Sequence, residues 1–222
     1  MIADQVVVAV PLSMLKQDTI AFSPALSDEK YEGMDGLGEG LVDKMIIEFD
    51  SIFWDDADSI NFISLQGNEF GVTFNLDRYL NKPILVVLNA GDTAREFSDW
   101  TDEELLDETL TFLEKIYGNA VSNVVNYERS NWSKEPNIEM SYSYITTGGN
   151  METDCAAIQA NIDKKVFFAG EHTYCSMIGS VEGAYISGYI AAMEISGKMA
   201  DFGMALQSAV ALASFFALFN FF

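Results

Sequence analysis

Apolar positions along the chain fall into two rhythms. Short unbroken runs at residues 6–10, 84–89 and 166–169 are each closed by proline, glycine or a polar turn, and they predict buried strands. Pro11 ends the first of them. Further strands are predicted at 42–49, 60–65 and 70–76, with Gly67-Asn68 as a hairpin signal between the last two. Helical spacing is clearest over 100–118, where Leu106, Leu110, Leu113 and Tyr117 form a stripe read as core. Thr101 with Glu104 makes a capping box, Trp100 is placed to staple onto Leu105, and Gly118 is the stop. Acids crowd the first turn and Lys115 sits in the last, as the helix dipole favours.

A second helix is predicted to start near Ser180. Its small residues Ser180, Gly183, Ala184, Ser187, Gly188 and Ala191 fall on one side, so something can approach the backbone closely. It follows the 166–169 strand and a Gly170-Glu171 turn, and its N-terminal amides suit an anion. This pattern alone is read equally well as a cradle for a flat ligand or as tight helix-on-sheet packing. The stretch Gly36-Leu-Gly-Glu-Gly40 has the look of a dinucleotide loop, but it follows no strand and Glu39 would put a carboxylate where a pyrophosphate belongs. It predicts a turn into the 42–49 strand. Lys44 is a lone base in that strand, and alone it reads as solvent-facing.

Composition narrows the picture. A chain of 222 residues, 49% of them hydrophobic, is globular and holds one ordinary core or two small ones. The net charge of -22, from 34 acids and 12 bases, argues against nucleic acid; it serves solubility alone or draws in cations, polyamines among them. Cys155 and Cys175 are too few for a disulfide framework and lack metal-ligand spacing. With His172 the one histidine, a zinc site or a Ser-His triad is not expected, so no metal is assigned. Met1 leads directly into Asp4 and a strand, with no signal-peptide pattern. Residues 202–222 carry no charge, and at ~1.5 Å per residue they could cross a bilayer core of about 30 Å. Gln207, Ser208, Ser214 and Asn220 interrupt that run, and Lys198 and Asp201 set no orientation bias. A tail anchor and a partner-buried helix are both open, which leaves localisation between the cytoplasm and a membrane surface.

The stretch Phe168-Ala-Gly-Glu-His-Thr173, followed by Val181-Glu-Gly-Ala-Tyr-Ile-Ser-Gly188, closely resembles the C-terminal cofactor signature of the flavin-containing amine oxidases. Those are the polyamine oxidases, lysine-specific histone demethylases and monoamine oxidases. The resemblance implies that Gly170, Glu171, Ser180 and Val181 touch FAD. Pro11, Leu12, Leu15, Lys16, Phe22, Pro24 and Leu26 match the family's passage out of the FAD domain into the substrate domain. The run from Leu41 through Lys44 to Phe49-Asp-Ser-Ile-Phe-Trp54 resembles the segment carrying the family's lysine, which holds a water against flavin N5. A lysine there orients water and helps a reduced flavin react with oxygen.

Trp132-Ser-Lys-Glu-Pro136, then Ser141-Tyr-Ser-Tyr144, resembles the family's Trp-x-x-Asp-Pro and Gly-Ser-Tyr-Ser-Tyr. It implies that Trp132 lies near the flavin entrance and that Tyr142 is one wall of an aromatic cage for the amine. A tyrosine simply packed in a strand is the competing reading of Tyr142. The sequon Asn131-Trp-Ser133 is discounted on the same resemblance. Ile138-Glu139-Met140 departs from the family's Arg-Gly before Ser-Tyr. No cysteine sits at 140–142, where monoamine oxidases tether their flavin, so a non-covalent FAD is expected, and the match leans to polyamine oxidases and demethylases. Without a basic surface or a chromatin-reading insertion, the demethylase role is set aside.

The implied class is α/β (α+β): a mixed-sheet substrate domain plus the C-terminal strand and helix of an FAD domain. The implied segments are 1–25, closing an FAD-domain segment; 26–140, the substrate domain; 141–200, the C-terminal FAD segment; and 201–222, the uncharged tail. The family's Gly-x-Gly-x-x-Gly unit is not found in this sequence, and the resemblance covers about residues 6–198, the C-terminal half of an amine oxidase. The expectation is an FAD-dependent amine oxidase, closest to polyamine oxidases, with a small amine or polyamine and O2 as partners and an N-terminal half supplied from elsewhere. The alternative is a non-catalytic remnant of the fold that binds a membrane or a partner.

Overall fold

The computed structural model describes residues 2–61 and 71–197. In chain order, strand β1 (Val6–Val8) leads to helices α1 (Leu12–Lys16) and α2 (Asp28–Asp35). Strands β2 (Leu37–Gly40), β3 (Val42–Phe49), β4 (Ser59–Asn61) and β5 (Val72–Asn75) follow, then α3 (Asp77–Leu80) and β6 (Ile84–Ala90). Helices α4 (Gly91–Phe97) and α5 (Asp102–Tyr117) precede β7 (Val124–Arg129) and β8 (Tyr142–Ile145). The described chain ends with α6 (Asp154–Gln159), β9 (Val166–Phe168) and α7 (Val181–Ser196). Parallel pairing in β1–β9 and an antiparallel five-stranded sheet place it in the mixed α/β (α+β) class expected. No described helix is long and apolar enough to cross a membrane, and the uncharged tail lies outside the described residues.

Two compact units divide the chain: Met1–Gly38 with Tyr142–Phe222, and Glu39–Ser141. The expected segments place one boundary near residue 140, and the compact units part between Ser141 and Tyr142. At the other end the expected substrate segment starts at 26, whereas the compact unit starts at Glu39, because α2 packs on α6.

The second unit is built on a sheet of order β4-β5-β6-β3-β7. Alternation along β3 puts Met45, Ile47 and Phe49 on one face, where with Leu85 and Val87 of β6 they pack against Leu105, Phe112 and Leu113 of α5. The capping box forms as the spacing requires: Glu104 N–H donates to Thr101 Oγ1 at 3.2 Å, and Thr101 N–H donates to Glu104 Oε2 at 2.8 Å. Gly118 ends the helix at φ 58°. The buried line of α5 runs through Leu105, Thr109, Phe112 and Leu113, so of the predicted stripe Leu113 is core, while Leu106, Leu110 and Tyr117 lie on the margin, half-buried. Antiparallel pairing of β4 with β5 agrees with the predicted hairpin, whose Gly67-Asn68 turn lies outside the described residues.

The first unit departs more from expectation. The β1 strand is not buried: Val6 and Val7 are 48% and 42% exposed, since among the described residues β1 pairs on one edge only, with β9. Residues 36–40 are not a turn but contain β2, paired with β8 about a hundred residues further on. Gly38 lies under the Tyr144 ring, where any Cβ would collide with it, so a glycine-rich stretch is what this strand pairing needs. The two cysteines, too few to suggest a framework, form a disulfide that joins α6 to the turn at Cys175–Met177.

Lys30 is the other surprise, because it stands in an acidic string yet is only 4% exposed. Its Nζ donates to the carbonyls of Ala157, Ile158 and Ala160 at 2.6 to 2.9 Å and lies 4.0 Å from the Phe168 ring centre. It therefore caps the carbonyl end of α6. Burial pulls its pKa down to about 8.

Candidate functional site

In the first unit, Gly170 follows β9 at φ 137° and the chain makes a single 3-10 turn over Glu171–Thr173. The Glu171 carboxylate is where three segments meet. Its Oε1 accepts from the Ser143 N–H at 3.1 Å and the Ser143 hydroxyl at 2.7 Å; its Oε2 accepts from Gly179 N–H at 2.6 Å. One side chain thus ties β8, the strand of Tyr142, to the residue before Ser180. Tyr142 and Tyr144 flank buried Ser143 and are 37% and 44% exposed, as strand alternation requires. A Cβ on Gly179, at φ 73°, would lie 3.2 Å from the Tyr142 ring. The predicted residues Tyr142, Gly170, Glu171 and Ser180 are therefore brought to one place.

Ser180 is the N-cap of α7, its Oγ accepting from Gly183 N–H at 3.0 Å. Val181 opens the helix and is largely exposed, and the first amides of α7 have no acceptor within the helix. The small-residue side of α7 proves to serve two purposes. Gly183, Ser187 and Ala191 are buried: a Cβ on Gly183 would strike the Met177 carbonyl, the Ser187 hydroxyl accepts from Gly170 N–H at 2.9 Å, and Ala191 packs with Phe167 and Ala169. This line is tight internal packing. Gly188, in contrast, faces open space. His172 is 2% exposed, its Nε2 has no partner among the described residues, and burial pulls its pKa down to about 4, so the ring is neutral.

In the second unit, Lys44 is exposed, on the face of β3 opposite to Met45 and Ile47. Trp132 is half-buried at the start of a 3-10 turn over Trp132–Lys134. Both are attached to one buried acid that sequence reasoning missed: Asp43 Oδ1 accepts from the Ser130 hydroxyl at 2.8 Å and the Trp132 N–H at 3.0 Å, while Lys44 N–H donates to Ser130 Oγ at 3.0 Å. Asn131 donates to the Ser98 carbonyl at 2.9 Å and accepts from the Ser133 hydroxyl at 3.2 Å. Its amide is thus in use at both ends, which agrees with discounting the sequon. An open groove of about 300 Å³ lined by Trp100, Glu104, Asp107, Glu108 and Thr111 involves none of the predicted site residues. Among the described residues no cluster of histidine, cysteine and acid is placed to hold a metal.

These geometries can be set beside known proteins. A family model for flavin containing amine oxidoreductases matches residues 2–196. The chain belongs to that family. It is 34% identical over 194 residues to polyamine oxidase 5 of Oryza sativa subsp. japonica, covering 86% of this chain and 38% of that protein. Polyamine oxidase 2 of Arabidopsis thaliana is 34% identical over 191 residues, with the same shares covered. Lysine-specific histone demethylase 2 of Homo sapiens is 31% identical over 202 residues, covering 87% of this chain and 24% of the demethylase. Among solved structures, a putrescine oxidase variant made in a redesign of cofactor binding superposes with a TM-score of 0.72 at 18% identity, covering 87% of this chain and 43% of that one; this likeness speaks for the fold. The chain spans about two-fifths of the length of the polyamine oxidases it matches.

The residues fit a flavin. An exposed Val181 at the start of α7, the open face at Gly188 and an exposed tyrosine beside Gly179 leave room for a flat group. Glu171, expected to touch the cofactor, holds Ser143 and Gly179 through its two carboxylate oxygens.

Proposed function

We propose that this chain forms the ring-side portion of a non-covalent FAD-dependent amine oxidase acting on a polyamine. The observation that carries the reading is the family match over 2–196 together with the meeting of Tyr142, Glu171 and Ser180 around one carboxylate. When bound, the flavin accepts a hydride from the C–H beside the substrate nitrogen and hands the electrons to O2. Ser180, Val181 and Gly170 line its cradle, and Glu171 shapes that cradle by holding β8 and the Gly179 turn. Tyr142 offers an aromatic face to an ammonium group, and the net charge of -22 draws cationic amines from solution. Lys44, exposed and held by its backbone, keeps a water where oxygen reacts.

The test is a visible spectrum of the purified chain after incubation with FAD and desalting. A retained flavin band that bleaches anaerobically with spermine or spermidine, and returns more slowly with oxygen in Lys44→Met, is the expected result. A colourless chain, or a band indifferent to amines, overturns the reading.

A further inference from the structure

Asp43 matches nothing in the residues that carry the family likeness, yet it is 3% exposed, while Lys44 next to it is open to solvent. The backbone ladder between β3 and β7 runs from Phe49 to Met45, where Met45 pairs with Arg129. Beyond that point one further backbone bond, Ser130 N–H to the Lys44 carbonyl at 3.0 Å, joins the two strands. Side chains then take over. Asp43 Oδ1 receives the Ser130 hydroxyl and the Trp132 amide, and the same Ser130 oxygen receives the Lys44 amide. On the other side of the ladder Asp43 pairs with Asn89, whose buried amide has no partner among the described residues, so the carboxylate is turned toward the Ser130–Trp132 segment. Hydrogen bonds to a carboxylate are about twice as strong as neutral ones, and a buried donor left without its acceptor carries the full desolvation cost.

We propose that Asp43 is a positioning residue of the second unit: through one oxygen it sets the Lys44 backbone and the Trp132 turn at a fixed spacing, so that ammonium and indole are presented together. The inference rests on the functional reading of Lys44 and Trp132 given above. It requires an acceptor at Oδ1 rather than a negative charge, and that distinguishes Asn from Ala at this position.

Amide hydrogen exchange by NMR on the full chain reads it without any flavin. Asp43→Ala is expected to speed exchange at the Lys44 and Trp132 amides roughly tenfold, the scale of one lost charge-assisted bond. The Ile46 and Val87 amides should keep their protection, and Asp43→Asn should restore both site amides to near wild type. With flavin loaded, Asp43→Ala should slow reoxidation to the level of Lys44→Met, and the double variant should be no slower. Unchanged exchange at Lys44 and Trp132, acceleration spread equally to Ile46 and Val87, or additive effects in the double variant would overturn the proposal. Should Lys44→Met leave reoxidation untouched while Asp43→Ala still frees both amides, the clamp stands and the functional reading of the lysine falls.

Discussion

The two units are held together in different ways. The second has one continuous apolar layer between a five-stranded sheet and α5, with Met45, Ile47, Leu85, Leu105 and Leu113 each 1% exposed or less. The first also buries apolar side chains, with Leu12, Met34, Leu37, Ile158 and Phe168 each 1% exposed or less, but its segments, far apart in sequence, are joined in addition by polar staples to backbone. Lys16 Nζ donates to the Leu37 carbonyl at 2.7 Å, Lys30 caps α6, Glu171 ties β8 to the start of α7, and a disulfide adds a covalent link. It also leaves Val181 and Tyr185 of α7 83% and 75% exposed. Apolar packing spreads stability over many contacts, whereas each staple concentrates its share in one group. Single polar substitutions should therefore discriminate between the two. All three tryptophans, Trp54, Trp100 and Trp132, belong to the second unit, so indole fluorescence reports that unit and segment-resolved amide exchange reports the other.

The largest effect is expected from Glu171→Ala, which strands three donors and should cost the first unit about 3 kcal/mol. Exchange across residues 166–196 should accelerate while the tryptophan unfolding midpoint stays in place; a matching fall in that midpoint would break the comparison.

Acid is the second probe. His172 has a folded pKa of about 4 against 6.5 for the free side chain. The unfolded chain thus takes up a proton that the folded ring refuses, and stability is lost as pH falls from about 6.5 toward 4, by up to about 3 kcal/mol. Protection in 166–196 should drop over that window, and His172→Gln should flatten the slope relative to wild type. Equal slopes in the two proteins would refute the assignment.

The smallest effect has the opposite sign. Asn89 is 2% exposed with both amide atoms unpartnered among the described residues, so Asn89→Leu should stabilise the second unit by about 1 kcal/mol, seen as a higher denaturant midpoint by fluorescence. A lower midpoint would mean that Asn89 holds a partner.

What could be read from the chain beforehand follows the range of the interactions. The α5 helix was legible because its cap, its period and its glycine stop all lie within twenty residues. Ser180 as the cap of α7 was legible for the same reason. The β2 strand was not, because its partner is a hundred residues away and its glycines make sense only beneath Tyr144. Asp43 and Lys30 were not singled out, since nothing local to either shows that distant polar groups will surround it. Family likeness located Glu171, and the structure adds the Ser143 and Gly179 donors from which its carboxylate accepts.

The Cys155–Cys175 bond closes a ring of chain with 20 residues of separation, and β9 and Glu171 both lie inside it. Pulled from its two ends, the molecule would yield along every other segment while this one stayed slack: roughly 70 Å of contour, at ~3.5 Å per residue, would be hidden from the applied force. Tension would reach the strand and the carboxylate at the centre of the first unit only through a thiol exchange that opens the ring.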